Sequence, residues 1–164
     1  MKHARVIWSV ALVCLLGFGC RTTRFEPLEV AVPSARSAPE VEAAIMAAVL
    51  GVRTPKLSAD QKKGATLSEK AAKKLFGEVY TRTYQPRGSG WFVENRKPGS
   101  MVAGLHRRSH FLRLGIAYDP QRVVTRILSS ENLEQDGDQI HKRAVQWIRE
   151  LESRIRLALA SQPT

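Results

Sequence analysis

Apolar residues recur along this chain with changing periods, and the changes mark its elements. An uncharged, largely apolar run from Val6 to Phe18 follows Lys2 and Arg5. Its 13 residues fall short of the ~20 that a membrane span needs. Charge, then an apolar stretch of roughly 7–15 residues, then a small residue is the pattern of a secretory signal. Residues 20–36, with Pro27 and Pro33 and no sustained period, are expected to be a tether. Ser37-Ala38-Pro39-Glu40 has capping-box spacing, and Val41, Ala44, Ile45, Ala48 and Val49 follow at helical intervals up to Gly51. This predicts a helix over 38–50.

The next stretch is polar. Residues 51–63, broken by Pro55, read as loop. A second capping box, Thr66 to Glu69, stands ahead of Ala71, Ala72, Leu75, Phe76 and Val79, with Lys70, Lys73 and Lys74 on the other side. From Trp91 to Leu128 the period falls to two. Gly90–Glu94, Met101–Leu105, His110–Tyr118 and Arg122–Leu128 read as strands joined by short turns, which favours antiparallel pairing. In the best of them Leu112, Leu114, Ile116 and Tyr118 alternate with Phe111, Arg113, Gly115 and Ala117. Asp138 is a plausible cap for the last helix. There Ile140, Ala144, Trp147, Leu151, Ile155 and Leu159 make one stripe, and Glu150 and Arg154 are spaced for an i,i+4 pair.

The order implies an α+β fold. We expect a small antiparallel sheet of three to four strands packed on an N-terminal and a long C-terminal helix, in two layers. The segments are a signal at 1–19, a tether at 20–36, one domain at 37–160 and a tail at 161–164. A basic helical insertion occupies about 52–87.

Charge sharpens this picture. The 164 residues hold 26 Lys+Arg and 15 Asp+Glu, a net +11. The excess is local, since 51–113 hold 14 basic and 4 acidic residues while 114–164 hold 7 of each. An apolar fraction of 43% excludes wholesale disorder, and two cysteines, Cys14 and Cys20, exclude a disulfide framework.

Gly19-Cys20 resembles the lipobox of bacterial lipoproteins, with Gly17 where that pattern has Leu. The resemblance implies that Cys20 is acylated and becomes the first mature residue, leaving no free thiol. Arg21, which is not the Asp of an inner-membrane retention signal, points to the periplasmic face of the outer membrane. Farther on, Gly90-Trp91, Ile116-x-Tyr118, Ser130-x-Asn132-Leu133, Ile140-His141 and Trp147-Ile148 resemble, in order, a family of small proteobacterial envelope lipoproteins of unknown function. That resemblance implies location and fold, and no catalytic role.

Candidate chemistry is sparse. His106 and His110 have metal-ligand spacing for a helix, but in a strand four residues span ~13 Å and Arg107 and Arg108 repel a cation. No metal or cofactor is expected. Ser130 and His141, with Asp136 or Asp138, could be written as a hydrolase triad. The simpler reading has Ser130, Asn132 and His141 bonding loop backbone and fixing the helix start. Gly88-Ser89-Gly90 is too short for a phosphate loop. Trp91 and Trp147 read as packing. Lys62, Lys63, Lys70, Lys73 and Lys74 of the insert are the candidate contacts to an anionic surface, against the alternative of a merely solvated face. The reading is a non-enzymatic lipoprotein, anchored in the bilayer through Cys20, whose insert faces an anionic envelope polymer or a protein partner. The alternatives are an envelope hydrolase using Ser130 and His141, and a nucleic-acid-binding protein. The second requires that the N-terminus does not direct export, so no nucleic acid is expected.

Overall fold

The computed structural model describes residues 22–33, 36–80, 90–136 and 139–161. Cys20, the signal segment, Arg82, Arg87, Gly88, Asp138 and residues 162–164 lie outside them. The fold is α+β. A five-stranded antiparallel sheet has the order β2-β6-β5-β4-β3, with β2 Glu29–Ala31, β3 Gly90–Lys97, β4 Ser100–Arg107, β5 His110–Tyr118 and β6 Arg122–Glu131. A smaller antiparallel sheet has the order β1-β8-β7, from Thr22–Arg24, Gln139–His141 and Gln135–Asp136. The helices are α1 Ala38–Leu50, α2 Glu69–Tyr80 and α3 Lys142–Ala160.

Two of these strands come from the expected tether, and one of them, β2, brings the main sheet to five strands instead of three to four. Val30 and Phe25 supply the reason, since both side chains are buried in the core. Thr22–Arg24 pairs with Gln139–His141, and Glu29–Ala31 pairs with Arg122–Val124. The segment from 22 to 33 is therefore part of the packed body.

Helix α1 has the predicted bounds. The Glu40 carboxylate accepts the Ser37 N–H and hydroxyl, both at 3.0 Å. Gly51 closes the helix in the left-handed region at φ 69°. Every residue from Val41 to Val49 is buried, not one stripe alone. The sequence pattern picks out only Val41, Ala44, Ile45, Ala48 and Val49, but Ala43, Met46 and Ala47 are buried too, and Leu57, Leu67, Ala72 and Phe76 of the insert join the same core. The helices therefore do more than form one layer over the sheet.

The second capping box does not form as read. Helix α2 starts at Glu69, the Ser68 hydroxyl accepts the Ala71 N–H, and Thr66 turns instead to Glu42. Helix α3 begins after His141, not at Asp138. The His141 Nδ1 accepts the Arg143 N–H at 3.2 Å, and Ile140, expected on the helical stripe, sits buried in β8.

Register decides which residues face the helices. Leu105, Leu112 and Ser130 share one face with Met101, Ala103, Leu114, Ile116, Val123 and Thr125. Two bulges adjust it. In β6 Leu128 is the extra residue opposite the Arg113–Leu114 step and stands 40% exposed. In β3 the register shifts between Val93 and Asn95, so Arg96 instead of Asn95 points to the helix-covered face. There its guanidinium meets the fully buried Glu42 of α1 at 2.5 Å. Glu42 also accepts the Thr66 hydroxyl at 2.6 Å and the Leu67 N–H at 2.7 Å. Arg96 reaches Glu69 and Tyr80 besides. One buried ion pair thus ties α1, the insert and β3 together.

Candidate anionic-ligand site

The helix-covered face continues past Leu105 and Leu112 to Arg107 and His110, which pair across β4 and β5 at the hairpin end. Here the sheet meets one stripe of α3, carrying Arg143, Trp147, Glu150 and Arg154 at i, i+4, i+7 and i+11. Trp91, opposite Leu105 in β3, closes the third side. The result is an open cleft in two lobes. A lobe of about 310 Å³ is lined by Arg107, Arg108, His110, Arg143, Gln146, Trp147 and Glu150. A lobe of about 600 Å³ adds Gly90, Trp91, Leu105, Ser153 and Arg154. Arg107, Trp147 and Glu150 border both.

Trp147 is the floor, only 8% exposed. The Arg107 guanidinium lies 5.4 Å from its ring centre and the His110 ring 6.1 Å away. Stacking on indole holds a guanidinium's plane while its in-plane N–H groups stay available. The His110 Nδ1 donates to the Asn132 carbonyl at 2.7 Å, because a carbonyl only accepts. That leaves Nε2 as the ring's remaining polar atom. Asn132 itself sits at φ 56°, and its amide donates to the Ser109 carbonyl, tying the hairpin tip to the end of β6.

Arg108 opens the two-residue turn Arg108-Ser109 at φ 58°. Gly and Asn are the residues that tolerate this region. An arginine there accepts a strained backbone, a cost of about 1–3 kcal/mol, and sets a fourth guanidinium at the lip.

The guanidiniums of the cleft outnumber its one carboxylate, Glu150. Among the described residues Arg107, Arg108, Arg143 and Arg154 make no ion pair within 4.0 Å, although Glu150 lines both lobes. The expected Glu150–Arg154 pair does not form. Burial pushes the Arg154 guanidinium below its ordinary value, and Glu150 pulls the other way without cancelling it. Elsewhere in the protein Arg96, Arg113, Arg122 and Arg149 each have a carboxylate partner.

The residues singled out in the sequence are distributed differently. Lys62 is paired with Glu40 at 2.8 Å, Lys63 with Asp60 at 3.1 Å and Lys73 with Glu69 at 3.7 Å. Lys70 and Lys74 are exposed on α2. His106 and His110 lie on opposite faces of the sheet, His106 with Phe111 and His110 with Arg107. Among the described residues no group of His, Cys, Asp and Glu stands ready for a metal. Ser130 lies opposite Leu112 in β6, and His141 Nδ1 is engaged as the cap of α3. Among the described residues no helix is long and apolar enough to cross a membrane. No family model, curated protein or solved structure matches the chain.

Sequence reading passed over this cleft. Trp147 reads as packing, which is true of its ring, and the His106/His110 spacing, set aside as a metal pair, gives His110 no other role. The available signal was the stripe Arg143, Trp147, Glu150 and Arg154. Its polar members flank an aromatic instead of lying opposite it.

Proposed function

We propose that this protein is a lipid-anchored module of the bacterial envelope that binds an anionic ligand in the arginine cleft and performs no chemistry on it. The carrying observation is a cleft lined by four arginines, one of them against Trp147, none of which makes an ion pair within 4.0 Å among the described residues. Unpaired guanidiniums beside an aromatic floor bind and orient anions, because their N–H forks match carboxylate and phosphate oxygens. The N-terminal pattern ending in Cys20 supports the anchor, as does the likeness to small envelope lipoproteins. Acyl chains contribute ~0.8 kcal/mol per buried CH₂, and more than one chain makes anchoring stable.

On this reading α1 and α3, laid over the sheet as the scaffold, hold the hairpin tip against the stripe of α3. Lys70 and Lys74 keep the role of auxiliary contacts to an anionic surface.

Two measurements test the proposal. Metabolic labelling with a fatty acid should mark the wild type and not Cys20→Ser, and that variant should leave the membrane fraction. For the cleft, Trp91 and Trp147 are the only tryptophans besides Trp8. In the mature chain beginning at Cys20, which lacks Trp8 and is held in a non-ionic detergent, pyrophosphate should change the fluorescence saturably. Arg107→Gln with Arg154→Gln should abolish the change. Absence of any saturable response would overturn the binding role.

A further inference from the structure

The two lobes differ in chemistry, and the difference specifies a ligand with two unlike ends. The smaller lobe gathers Arg107, Arg108 and Arg143 around His110, with Glu150 on the border it shares with the larger lobe. Three guanidiniums and a ring nitrogen suit a group with several oxygens and more than one negative charge, which a phosphomonoester is and a single carboxylate is not. Arg107 is held flat by Trp147.

The larger lobe is not an anion site of the same kind. Its walls are the half-buried Trp91 and the apolar Leu105, and its rim carries Ser153, Arg154 and Glu150. A carboxylate only accepts hydrogen bonds, so Glu150, on the border of the lobes, takes hydroxyl donors, and the larger lobe sets only Arg107 and Arg154 beside it where the smaller sets three guanidiniums. Arg154 and Ser153 supply donors for hydroxyl and ring oxygens. An acyl chain would leave these three polar groups without partners, which is costly in a desolvated site. The negative face of the Trp91 ring system attracts the weakly positive C–H groups of a saturated ring. Trp147 is already covered by Arg107, so no second indole is free to sandwich a planar base.

We propose that the cleft binds a phosphorylated sugar, its phosphate at Arg107, Arg108 and Arg143 and its ring against Trp91 beside Glu150 and Arg154. The inference rests on the anion-binding reading above and adds the organic half of the ligand. The same chemistry is offered by a free sugar phosphate and by the phosphorylated sugar headgroup of a glycolipid.

The test is a fluorescence titration of the mature chain beginning at Cys20, whose tryptophans are Trp91 and Trp147, in non-ionic detergent, with folding of each variant checked by circular dichroism. The probes are inorganic phosphate, glucose, glucose 1-phosphate, adenosine 5′-monophosphate and micelles of a phosphorylated glycolipid. Glucose 1-phosphate should bind at least tenfold more tightly than either phosphate or glucose. Followed by calorimetry, Trp91→Ala should bring its affinity down to that of phosphate and leave phosphate binding unchanged. Glu150→Gln should not weaken phosphate, while Arg107→Gln should weaken both anions at least tenfold.

A micellar glycolipid binding tenfold more tightly than glucose 1-phosphate assigns the ligand to the membrane, and the reverse order assigns it to a free sugar phosphate. Equal affinities for phosphate and glucose 1-phosphate would overturn the sugar assignment and leave the anion-binding reading standing, as would tighter binding of the adenosine nucleotide. Failure of every anion to bind would overturn both.

Discussion

Removing the buried carboxylate of Glu42 is the sharpest test of how this fold is held. Glu42 is fully buried and serves three donors, the Arg96 guanidinium at 2.5 Å, the Thr66 hydroxyl at 2.6 Å and the Leu67 N–H at 2.7 Å. In Glu42→Ala the Leu67 N–H is left without an acceptor, which costs about 1–3 kcal/mol. Arg96, with a side chain 8% exposed, keeps only Glu69, which is itself 59% exposed, as a counter-charge. Breaking one side of a buried pair typically costs about 3–5 kcal/mol in total.

Against a whole stability of about 5–15 kcal/mol that is a large share, and it lowers Tm by on the order of 10 °C for a chain of this size. Urea denaturation followed by circular dichroism measures it, with the midpoint falling and the slope unchanged. The double variant Glu42→Leu with Arg96→Met removes both charges and should lose less than the two single changes added together. A loss under 1 kcal/mol in Glu42→Ala, or strict additivity in the cycle, would refute the assignment of this pair as the link between α1, the insert and β3.

Three further outcomes follow from the same structure. Phe25→Ala removes a buried ring that also carries the Arg149 guanidinium 5.5 Å from its centre. It should cost about 3 kcal/mol by urea titration, where a free tether would cost nothing. Acid should destabilise the fold. Burial raises Glu40, but the Lys62 ammonium and the Ser37 N–H and hydroxyl outweigh it and hold the carboxyl below its ordinary 4.5; the Gln121 and Arg122 N–H groups lower Asp119 likewise. The unfolded chain then binds more protons, so this stability is full above about pH 5 and is lost as pH falls through the folded values. Thermal melts should show a flat Tm above that range and a decline below it, shallower in Glu40→Gln. Finally, His141→Ala removes the cap of α3 and should cost about 1 kcal/mol, whereas His141→Asn should restore most of it.

What the sequence made legible was whatever depends on near neighbours. Ser37, Glu40 and Gly51 bound α1 by contacts three or four residues away, and the alternation of Leu112, Leu114 and Ile116 is visible because a strand's period needs no partner. The fold class followed from those local signals. The misreadings arise where a distant partner overrides them. Thr66 and Glu69 have capping-box spacing, yet Glu42 and Arg96 offer both side chains stronger charged partners from other elements. The segment 22–33 has no periodicity of its own because a three-residue strand is too short to show one, and it is ordered by the strands that receive it.

The cleft was hidden for the same reason, and its position shows what the fold contributes. None of its cations is distinctive in the sequence. Arg107 and Arg108 read as a turn, Arg143 and Arg154 as the polar side of a helix. They become a site because the β4–β5 hairpin runs beyond the cover of α1, so the face that is core at Leu112 is open at His110. There α3 presents Trp147, 8% exposed, with the Arg107 guanidinium and the His110 ring against its indole. Packing and binding share one ring. A change at Trp147 would therefore confound stability with affinity, and Trp91 and Arg154, at the edge of the same cleft, are the positions where the two can be separated.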